Sequence, residues 1–340
     1  MQKTYLRPAG LVYGPDARLI IKEGRGASLG GLSAIAYTLV EEIERNGPAV
    51  SRRFLSATLP RQTELPSFLN GERPLVMGIV NVTPDSFSDG GLAEDTQQAI
   101  ARGVQLAADG ADMLDVGGES TRPGSDGVPE DEELRRVIPV IEELAARGHA
   151  VSIDTRKANV MRAALKAGAR MVNDVSALTY DPMAMEAMAA VSCPVVLMHA
   201  QGDPKTMQLS PHYDDVALDV HDWLEARIEA CVAAGIARSR IIADPGIGFG
   251  KSFRHNLDAL RQFTLFHGLG VPLLMGLSRK GFIGALTGEK VAGHRVHGST
   301  GGAIWSWLNG AHILRVHDVK ATVAALAVAG AAADPDSSGL

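Results

Sequence analysis

The sequence predicts an α/β protein, a TIM (β/α)8 barrel with a small N-terminal α/β extension. From Pro74 onward, short apolar runs alternate with longer amphipathic stretches, and eight such runs in about 255 residues match a (β/α)8 barrel. Three helical stretches also close on a glycine just before the next run, at Gly110, Gly168 and Gly310. Glycine tolerates the left-handed conformation that ends a helix, so these positions predict turns between helix and strand.

The eight apolar runs are the predicted barrel strands. They are spaced mostly about 20 to 45 residues apart, with helical patterns between them. In chain order they are Leu75–Val80, Met113–Val116, Val151–Ile153, Met171–Val172, Val195–Met198, Ile241–Ala243, Leu273–Met275 and Ile313–Val316.

The first 70 residues do not follow this alternation. We expect a strand over Leu19–Ile21, a helix over Leu32–Glu44 and a linker over Pro60–Asn70, which contains two prolines. The predicted division of the chain is an N-terminal extension of unknown role (1–70), the barrel (74–330) and a flexible C-terminal tail (331–340).

Charge and composition exclude several classes of function. With 33 Lys and Arg against 39 Asp and Glu, the net charge is -6, which argues against a nucleic-acid or anionic membrane surface. The N-terminus lacks a basic segment followed by an apolar one, and no apolar run approaches the ~20 residues of a membrane span. Cys193 and Cys231 are far apart and indicate neither a disulfide framework nor a zinc site. We therefore expect a soluble, cytoplasmic protein.

Polar residues follow nearly every predicted strand, and in such a barrel the chemistry belongs at the carboxyl ends of the strands. The first two strands run into long loops, 81–91 and 115–124, which are rich in glycine and oxygen ligands and include Asn81 and Arg122. The arginine offers a planar fork suited to phosphate or carboxylate. The two loops together suggest a mobile lid.

Carboxylates and amides end three further strands, at Asp154, Asn173 and Asp244. Asp174 is more simply a cap or turn former, because Asp is common in both places. An ionised Asp only accepts hydrogen bonds, whereas Asn both donates and accepts, so the set suits a heterocycle with adjacent ring N–H and amino groups, as in a pterin.

Cationic groups follow the last two strands, at Lys280, Arg315 and His317. With Arg122 they are what an anionic substrate would need locally in an acidic protein. The segment 244–252 imitates a phosphate-binding P-loop, but position 245 is Pro245 where that motif requires glycine. No Gly-x-Ser-x-Gly or His-Glu-x-x-His motif is present, so a hydrolase or zincin has no support.

Seven segments in order resemble those of dihydropteroate synthases, and the resemblance covers residues 74–330. The segments are 77–91 (MGIVNVTPDSFSDGG), 117–124 (GGESTRPG), 152–155 (SIDT), 172–175 (VNDV), 244–251 (DPGIGFGK), 278–280 (SRK) and 315–317 (RVH). The resemblance implies a transferase of folate biosynthesis that condenses 6-hydroxymethyl-7,8-dihydropterin pyrophosphate with p-aminobenzoate, giving 7,8-dihydropteroate and pyrophosphate. It also implies a homodimer and a sulfonamide target.

Matching the family's motifs assigns three groups of site residues. The resemblance places the pterin on Asp154, Asn173, Met198, Asp244 and Lys280. It places Mg²⁺ on Asn81, and the pyrophosphate on Asn81, Thr121, Arg122, Arg315 and His317. It places p-aminobenzoate against Phe87, Thr121, Pro123, Phe249 and Lys280.

Catalysis in this scheme is electrostatic, with Asp154, Lys280 and Arg315 as the catalytic residues. Pyrophosphate departs first, Asp154 stabilises a pterin cation, and the neutral aniline attacks. Gly281 departs from many relatives, which carry a polar residue there, and this could alter p-aminobenzoate affinity or sulfonamide sensitivity. Two alternatives remain open: a pterin-binding, corrinoid-dependent methyltransferase and a catalytically silent pterin-binding barrel.

Overall fold

A closed barrel of eight parallel strands forms the body of the protein in the computed structural model, which describes residues 2–47, 49–56, 58–69, 73–82, 92–120, 125, 127–202 and 206–335. The barrel strands are β5 (Leu75–Asn81), β6 (Met113–Gly117), β7 (Val151–Asp154), β8 (Met171–Asp174), β9 (Val195–Met198), β10 (Ile241–Asp244), β11 (Leu274–Met275) and β12 (Ile313–Val316). They pair in the order β10-β9-β8-β7-β6-β5-β12-β11, and a parallel bridge between Ala243 and Leu273 joins the two ends. The TIM barrel prediction and all eight predicted strands are confirmed.

Helices surround the barrel on the outside, as the alternation predicts. They are α2 (Leu92–Ala108), α3 (Glu130–Ala146), α4 (Ala158–Lys166), α5 (Ala184–Ala189), α6 (Val216–Ala233), α7 (Phe253–Arg261), α8 (Gly281–Thr287), α9 (Val296–Leu308) and α10 (Val319–Ala333). Short 3-10 helices lie at Arg238–Arg240, Phe263–Leu269 and Ala292–His294. None of the helices in the described part of the chain is long and apolar enough to cross a membrane.

The three predicted glycine turns are confirmed. Gly110, Gly168 and Gly310 have φ angles of 101°, 111° and 90°, which a residue with a Cβ atom rarely adopts. Each glycine therefore ends a helix and turns the chain towards the next strand at the amino-terminal face of the barrel.

The N-terminal extension is a four-stranded antiparallel sheet with one helix. Its elements are β1 (Gln2–Tyr13), α1 (Gly14–Lys22), β2 (Ala27–Leu29), β3 (Leu32–Asn46) and β4 (Ala49–Leu55). The central strand β3 pairs with β1 along one edge and with β2 and β4 along the other.

Two predictions for this region are wrong. Leu19–Ile21 lies in α1, whose start carries the helix signals of a proline in the first turn followed by Asp16. Leu32–Glu44 lies in β3, although its apolar residues imitate a helical period. Partners on both edges of β3 override the local pattern, because strand pairing there satisfies the backbone and buries residues such as Tyr37 and Val40.

The extension packs against the outside and the amino-terminal face of the barrel. Tyr5 and Ile43 form a buried cluster with the first residues of α6 and with Leu265. At the foot of β12, His312 Nδ1 accepts a hydrogen bond from the Leu273 N–H, and its Nε2 lies 2.8 Å from the Gly30 carbonyl oxygen. The extension is thus anchored at the end of the barrel opposite the polar strand ends. The division into segments 1–70, 74–330 and 331–340 stays a prediction, and α10 itself runs to Ala333.

Candidate active site

The centre of the barrel mouth is a buried ion-pair network around Arg315. Its Nε donates to Asp115 Oδ2 over 2.6 Å, and its Nη2 donates to Asp154 Oδ2 over 2.7 Å. The amide of Asn173 donates to the same Asp115 oxygen over 3.0 Å. These residues lie within neighbouring strands, so the pairing of β12, β5, β6, β7 and β8 fixes their spacing. The predicted convergence of Asp154, Asn173 and Arg315 at one mouth is observed.

The network carries unusual protonation energetics. Burial raises the pKa of Asp154 to about 7, against the opposing effect of Arg315 and with further upward contributions from Asp115 and other carboxylates. Burial would lower the pKa of Arg315, but the two bonded carboxylates outweigh it and raise that pKa. Asp115 is fully buried, and its second oxygen has no hydrogen-bond partner among the described residues. A buried acceptor in this position suits a ligand that brings its own N–H group.

Asp244 and Lys280 form the second half of the mouth. Asp244 Oδ1 accepts the Gly246 N–H over 2.7 Å, and burial raises its pKa while Lys280 opposes the shift. The Lys280 ammonium donates to the Ile247 carbonyl and lies 4.7 Å from the centre of the Phe249 ring. Burial lowers the pKa of Lys280 to about 8, with Asp244 acting in the opposite direction. Asp244 and Lys280, two predicted pterin residues, therefore influence each other electrostatically, and Phe249, a predicted p-aminobenzoate residue, lies against the same ammonium.

The segment 278–280 holds Lys280 in place. Arg279 has a left-handed φ of 60° and forms a two-pronged ion pair with Asp318, over 2.9 and 2.5 Å. Ser278 Oγ lies 3.1 Å from His317 Nδ1 and accepts the His317 N–H over 3.2 Å. The rotation at Arg279 points successive side chains to different partners, so that Lys280 turns into the mouth while Arg279 braces the start of α10.

Asp174 has a structural role, as predicted. Its Oδ1 accepts from the Ser176 N–H and hydroxyl, over 2.7 and 2.6 Å, and its Oδ2 accepts from the Leu178 N–H over 2.8 Å. The carboxylate therefore closes the turn that follows β8, and both of its oxygens already accept hydrogen bonds from that turn. It differs from Asp154, whose other oxygen is not used in this way.

A cavity of about 300 Å³ opens between the loops that follow β8, β9 and β10. Met198 and Phe249 are part of its wall, together with Val175, Tyr180 and Trp223. Asn81 ends β5 opposite Gly117 and is half-buried on the other side of the mouth. Four predicted site residues lie outside the described residues: Phe87, Thr121, Arg122 and Pro123.

Sequence reasoning missed three buried charges that organise the mouth. Asp115 was passed over inside an apolar strand, although a carboxylate between Leu114 and Val116 is itself a signal of an inward-facing site. Glu119 binds Arg156 over 2.9 and 3.0 Å and so anchors the start of the second loop. Lys251 was discarded with the P-loop imitation, yet its side chain is buried behind the loop that follows β10.

Comparison with known proteins places this geometry in a family. The family model described as "Pterin binding enzyme" matches residues 77–317. The dihydropteroate synthase of Neisseria meningitidis serogroup B is 51% identical over 263 residues, which cover 76% of this chain and 92% of the relative. The dihydropteroate synthase of Escherichia coli K12 is 47% identical over 261 residues, with 76% and 92% covered.

Solved structures agree with these relatives. A Xanthomonas albilineans dihydropteroate synthase with 4-aminobenzoic acid has a TM-score of 0.72 and 51% identity, covering 82% of this chain and 96% of that one. A Yersinia pestis dihydropteroate synthase in a sulfonamide drug complex has a TM-score of 0.73 and 48% identity, with 76% and 94% covered. The chain belongs to the dihydropteroate synthase family of pterin-binding enzymes.

Proposed function

We propose that the barrel mouth divides the reaction of a dihydropteroate synthase between a pterin end, built into the strands, and a pyrophosphate end, built from strand ends and the surrounding loops. The reaction condenses 6-hydroxymethyl-7,8-dihydropterin pyrophosphate with p-aminobenzoate and gives 7,8-dihydropteroate and pyrophosphate. The observation that carries this division is the network of Arg315, Asp115, Asp154 and Asn173, because it buries acceptors at the strand ends.

The pterin end holds the heterocycle. Asp154, Asn173 and Asp244 offer the mixture of acceptors and donors that a pterin edge requires, and Lys280 offers an N–H donor beside Asp244. Met198 is buried next to them and gives the ring an apolar wall. Another Xanthomonas albilineans dihydropteroate synthase structure, 49% identical to this chain, is a complex with 7,8-dihydropteroate.

The pyrophosphate end would be held by Asn81, Arg315 and His317, together with Thr121 and Arg122. An amide oxygen is a hard ligand of the kind Mg²⁺ takes, and Mg²⁺ typically uses one or two protein oxygens with waters and substrate phosphates for the rest, so Asn81 fits the role. When bound, Mg²⁺ would neutralise charge on the departing pyrophosphate. Elsewhere among the described residues, three potential metal ligands lie close together on α6: His221, Asp222 and Glu225. Lys3 already binds both of these carboxylates.

The p-aminobenzoate end lies around Phe249 and Lys280. The aromatic ring of Phe249 under the Lys280 ammonium makes a surface on which a second aromatic carboxylate can stack and find a cation. Phe87, Thr121 and Pro123 complete this group in the proposal. A sulfonamide, which resembles p-aminobenzoate in shape and charge, would compete for the same surface.

The chain's own groups then lower the barrier by electrostatic stabilisation. The bond between the pterin methylene and a pyrophosphate oxygen breaks, and positive charge develops on the pterin. The carboxylates of Asp154 and Asp244 face that charge, while Arg315 favours the ionised form of Asp154 and orients it. The aniline nitrogen forms the new bond and releases a proton, so the protein needs no nucleophile of its own.

Pyrophosphate release tests this function. With both substrates and Mg²⁺ present, we expect one pyrophosphate and one dihydropteroate per turnover, and no release when p-aminobenzoate is omitted. An Arg315→Met variant, which keeps an unbranched apolar stem and removes the charged guanidinium, should lose most of the activity. Tight pterin binding without release would favour the silent barrel, and methyl transfer from a methylated pterin would favour the methyltransferase.

We also propose a homodimer formed through α9 and α10. These helices leave large apolar side chains at the surface, including Trp305 and Val328, which are 50% and 74% exposed. Exposed apolar surface of this kind marks an association site more often than a free surface. Sedimentation of the wild type and of a Val328→Glu variant tests the interface, since the variant should be monomeric. The cytoplasmic location stays a prediction.

A further inference from the structure

A buried lysine lies behind the loop that follows β10. Lys251 is only 2% exposed, and its ammonium lies 2.9 Å from His199 Nδ1, 2.9 Å from the Gly246 carbonyl oxygen and 3.2 Å from the Phe249 carbonyl oxygen. The side chain thus turns back beneath its own loop. It joins two carbonyl groups of that loop to the side chain of His199, the residue that follows β9. It does not face the cavity, because it is covered by the loop that it binds.

These three contacts hold in either protonation state. An ammonium can donate all three hydrogens, one to each acceptor. A neutral amine can donate to the two carbonyls and accept from His199 Nδ1–H, since the histidine can adopt that tautomer. The arrangement therefore does not depend on where the proton lies, and it is a geometric constraint on the loop.

The glycines of the loop that follows β10 provide no side chains that could fix its shape. Gly246, Gly248 and Gly250 all have left-handed φ angles, of 66°, 85° and 60°. A Cβ atom at Gly246 would lie 1.8 Å from the His199 carbonyl oxygen, and one at Gly250 would lie 2.3 Å from that of Gln201. Backbone thus packs directly on backbone, and no side chains are available at these glycines to lock the loop.

The same loop forms the wall on which Lys280 rests. The Ile247 carbonyl accepts from the Lys280 ammonium, the Phe249 ring lies under it, and a Cβ atom at Gly248 would lie 3.0 Å from its Cδ. A shift of the loop would therefore move Lys280 and Phe249 together. Asn256 and Tyr213 hold the outer part of the loop, by accepting the Gly248 N–H over 2.6 Å and by donating to the Gly250 carbonyl over 2.7 Å.

We propose that Lys251 is a positioning residue that sets the p-aminobenzoate surface by fixing the loop beneath Phe249 and Lys280. It acts through the loop and makes no contact with either substrate. The proposal rests on the proposed function, since it assigns the second substrate to that surface.

The effect should be selective for one substrate. Asp244 is held mainly by the pairing of β10 with β9 and by its carbonyl, which accepts the His199 N–H over 2.9 Å, and its contact with the loop is the Gly246 N–H that Oδ1 accepts. Asp154 and Asn173 lie in other strands. Asp154, Asn173 and Asp244 are thus fixed mainly by the strands, whereas Phe249 and Lys280, the lysine that both ends of the site share, take their relative position from the loop.

Lys251→Met tests the proposal, because methionine fills a similar volume without hydrogen-bond donors. We expect the KM for p-aminobenzoate to rise on the order of tenfold or more, as a small misplacement of a binding group allows. The dissociation constant for a pterin ligand, measured by calorimetry, should change by less than about threefold, since an anchored group keeps its interactions. Lys166→Met is the matched control: Lys166 is exposed in the last turn of α4, and its loss should change neither constant.

A second variant, Lys251→Gln, keeps one donor group and should give an intermediate KM for p-aminobenzoate. The proposal is overturned if folded Lys251→Met has a normal KM for p-aminobenzoate, or if its pterin affinity falls equally. It is also overturned if both variants fail to fold, because Lys251 would then serve folding and not position. Wild-type turnover reports separately on the proposed function, since the Lys251 proposal concerns only the KM for p-aminobenzoate of the variant relative to that of the wild type.

Discussion

An Asp154→Asn substitution removes a buried negative charge from the mouth and keeps the shape of the side chain. The pKa of Asp154 is raised from 3.8 to about 7, so the folded protein resists ionising it. A raised pKa means that the stability associated with this group is fully present below pH 3.8 and is lost as the pH rises through 7. Above pH 7 the loss is on the order of 4 kcal/mol, at 1.36 kcal/mol for each pH unit.

The substitution also has a cost, because Arg315 loses one of its two carboxylates. A hydrogen bond to a charged group contributes about 1.5 to 3 kcal/mol, and Arg315 keeps the bond to Asp115. This contribution of Arg315 is already contained in the net pKa of about 7, so the expected gain at pH 8 stays on the order of 4 kcal/mol of unfolding free energy, and it shrinks towards zero as the pH falls from 7 to 3.8. Turnover should nevertheless fall by about 10² to 10³, the usual effect of removing one stabilising group from a transition state.

Thermal unfolding at pH 8 and pH 5, beside a pyrophosphate-release assay, measures both effects. Asp222→Asn is the contrasting control: hydrogen bonds to Lys3 and Tyr5 help hold its pKa at about 2 despite partial burial, so its ionised form stabilises the fold above that pH. That variant should unfold at a lower temperature and keep normal turnover per folded molecule. Near-normal turnover in Asp154→Asn, or a loss of activity that merely follows a loss of stability, would refute the role given to Asp154.

Three further outcomes follow from the same structure. The kcat/KM for the pterin substrate should rise as the pH passes about 7, where Asp154 ionises, and fall above about 8, where Lys280 loses its proton; a Lys280→Arg variant should lose the alkaline limb. Gly30→Ala should lower stability by about 2 to 4 kcal/mol in chemical denaturation, because its Cβ would lie 2.6 Å from a His267 ring nitrogen, whereas Gly24→Ala, with a similar φ and open space, should cost about 1 kcal/mol. Chelation of Mg²⁺ should abolish turnover and leave calorimetric binding of a pterin without pyrophosphate unchanged.

The barrel and its pterin end could be predicted because their signals are local. A strand that is buried on both faces is a short apolar run, and in a parallel barrel its carboxyl end lies at the mouth. Asp154, Asn173 and Asp244 each end such a run, and each is the last or next-to-last residue of its strand. Position in the strand alone was therefore enough to bring these three residues together.

The remaining features depend on partners distant in sequence. Arg315 binds Asp115 across 200 positions, and nothing near either residue announces the pair. The apolar spacing of β3 fits a helix as well as a strand, and only its neighbours β1 and β4 decide between them. Lys251 stands in a segment that imitates a phosphate loop, where its contact with His199 could not be read from spacing.

The charges of the described mouth explain why the two ends of the site are built differently. Three buried carboxylates, Asp115, Asp154 and Asp244, surround the centre of the mouth beside Arg315 and Lys280, so acidic groups line the place proposed for the pterin. Such a field favours a pterin that becomes positive and would repel a free pyrophosphate. A pyrophosphate can therefore bind beside the strands only with added positive charge. Mg²⁺ at Asn81 and a loop cation such as Arg122 would supply that charge. In the proposed mechanism these carboxylates would stabilise the pterin cation and favour departure of the anionic leaving group, so one arrangement of fixed strand residues would promote both halves of the displacement.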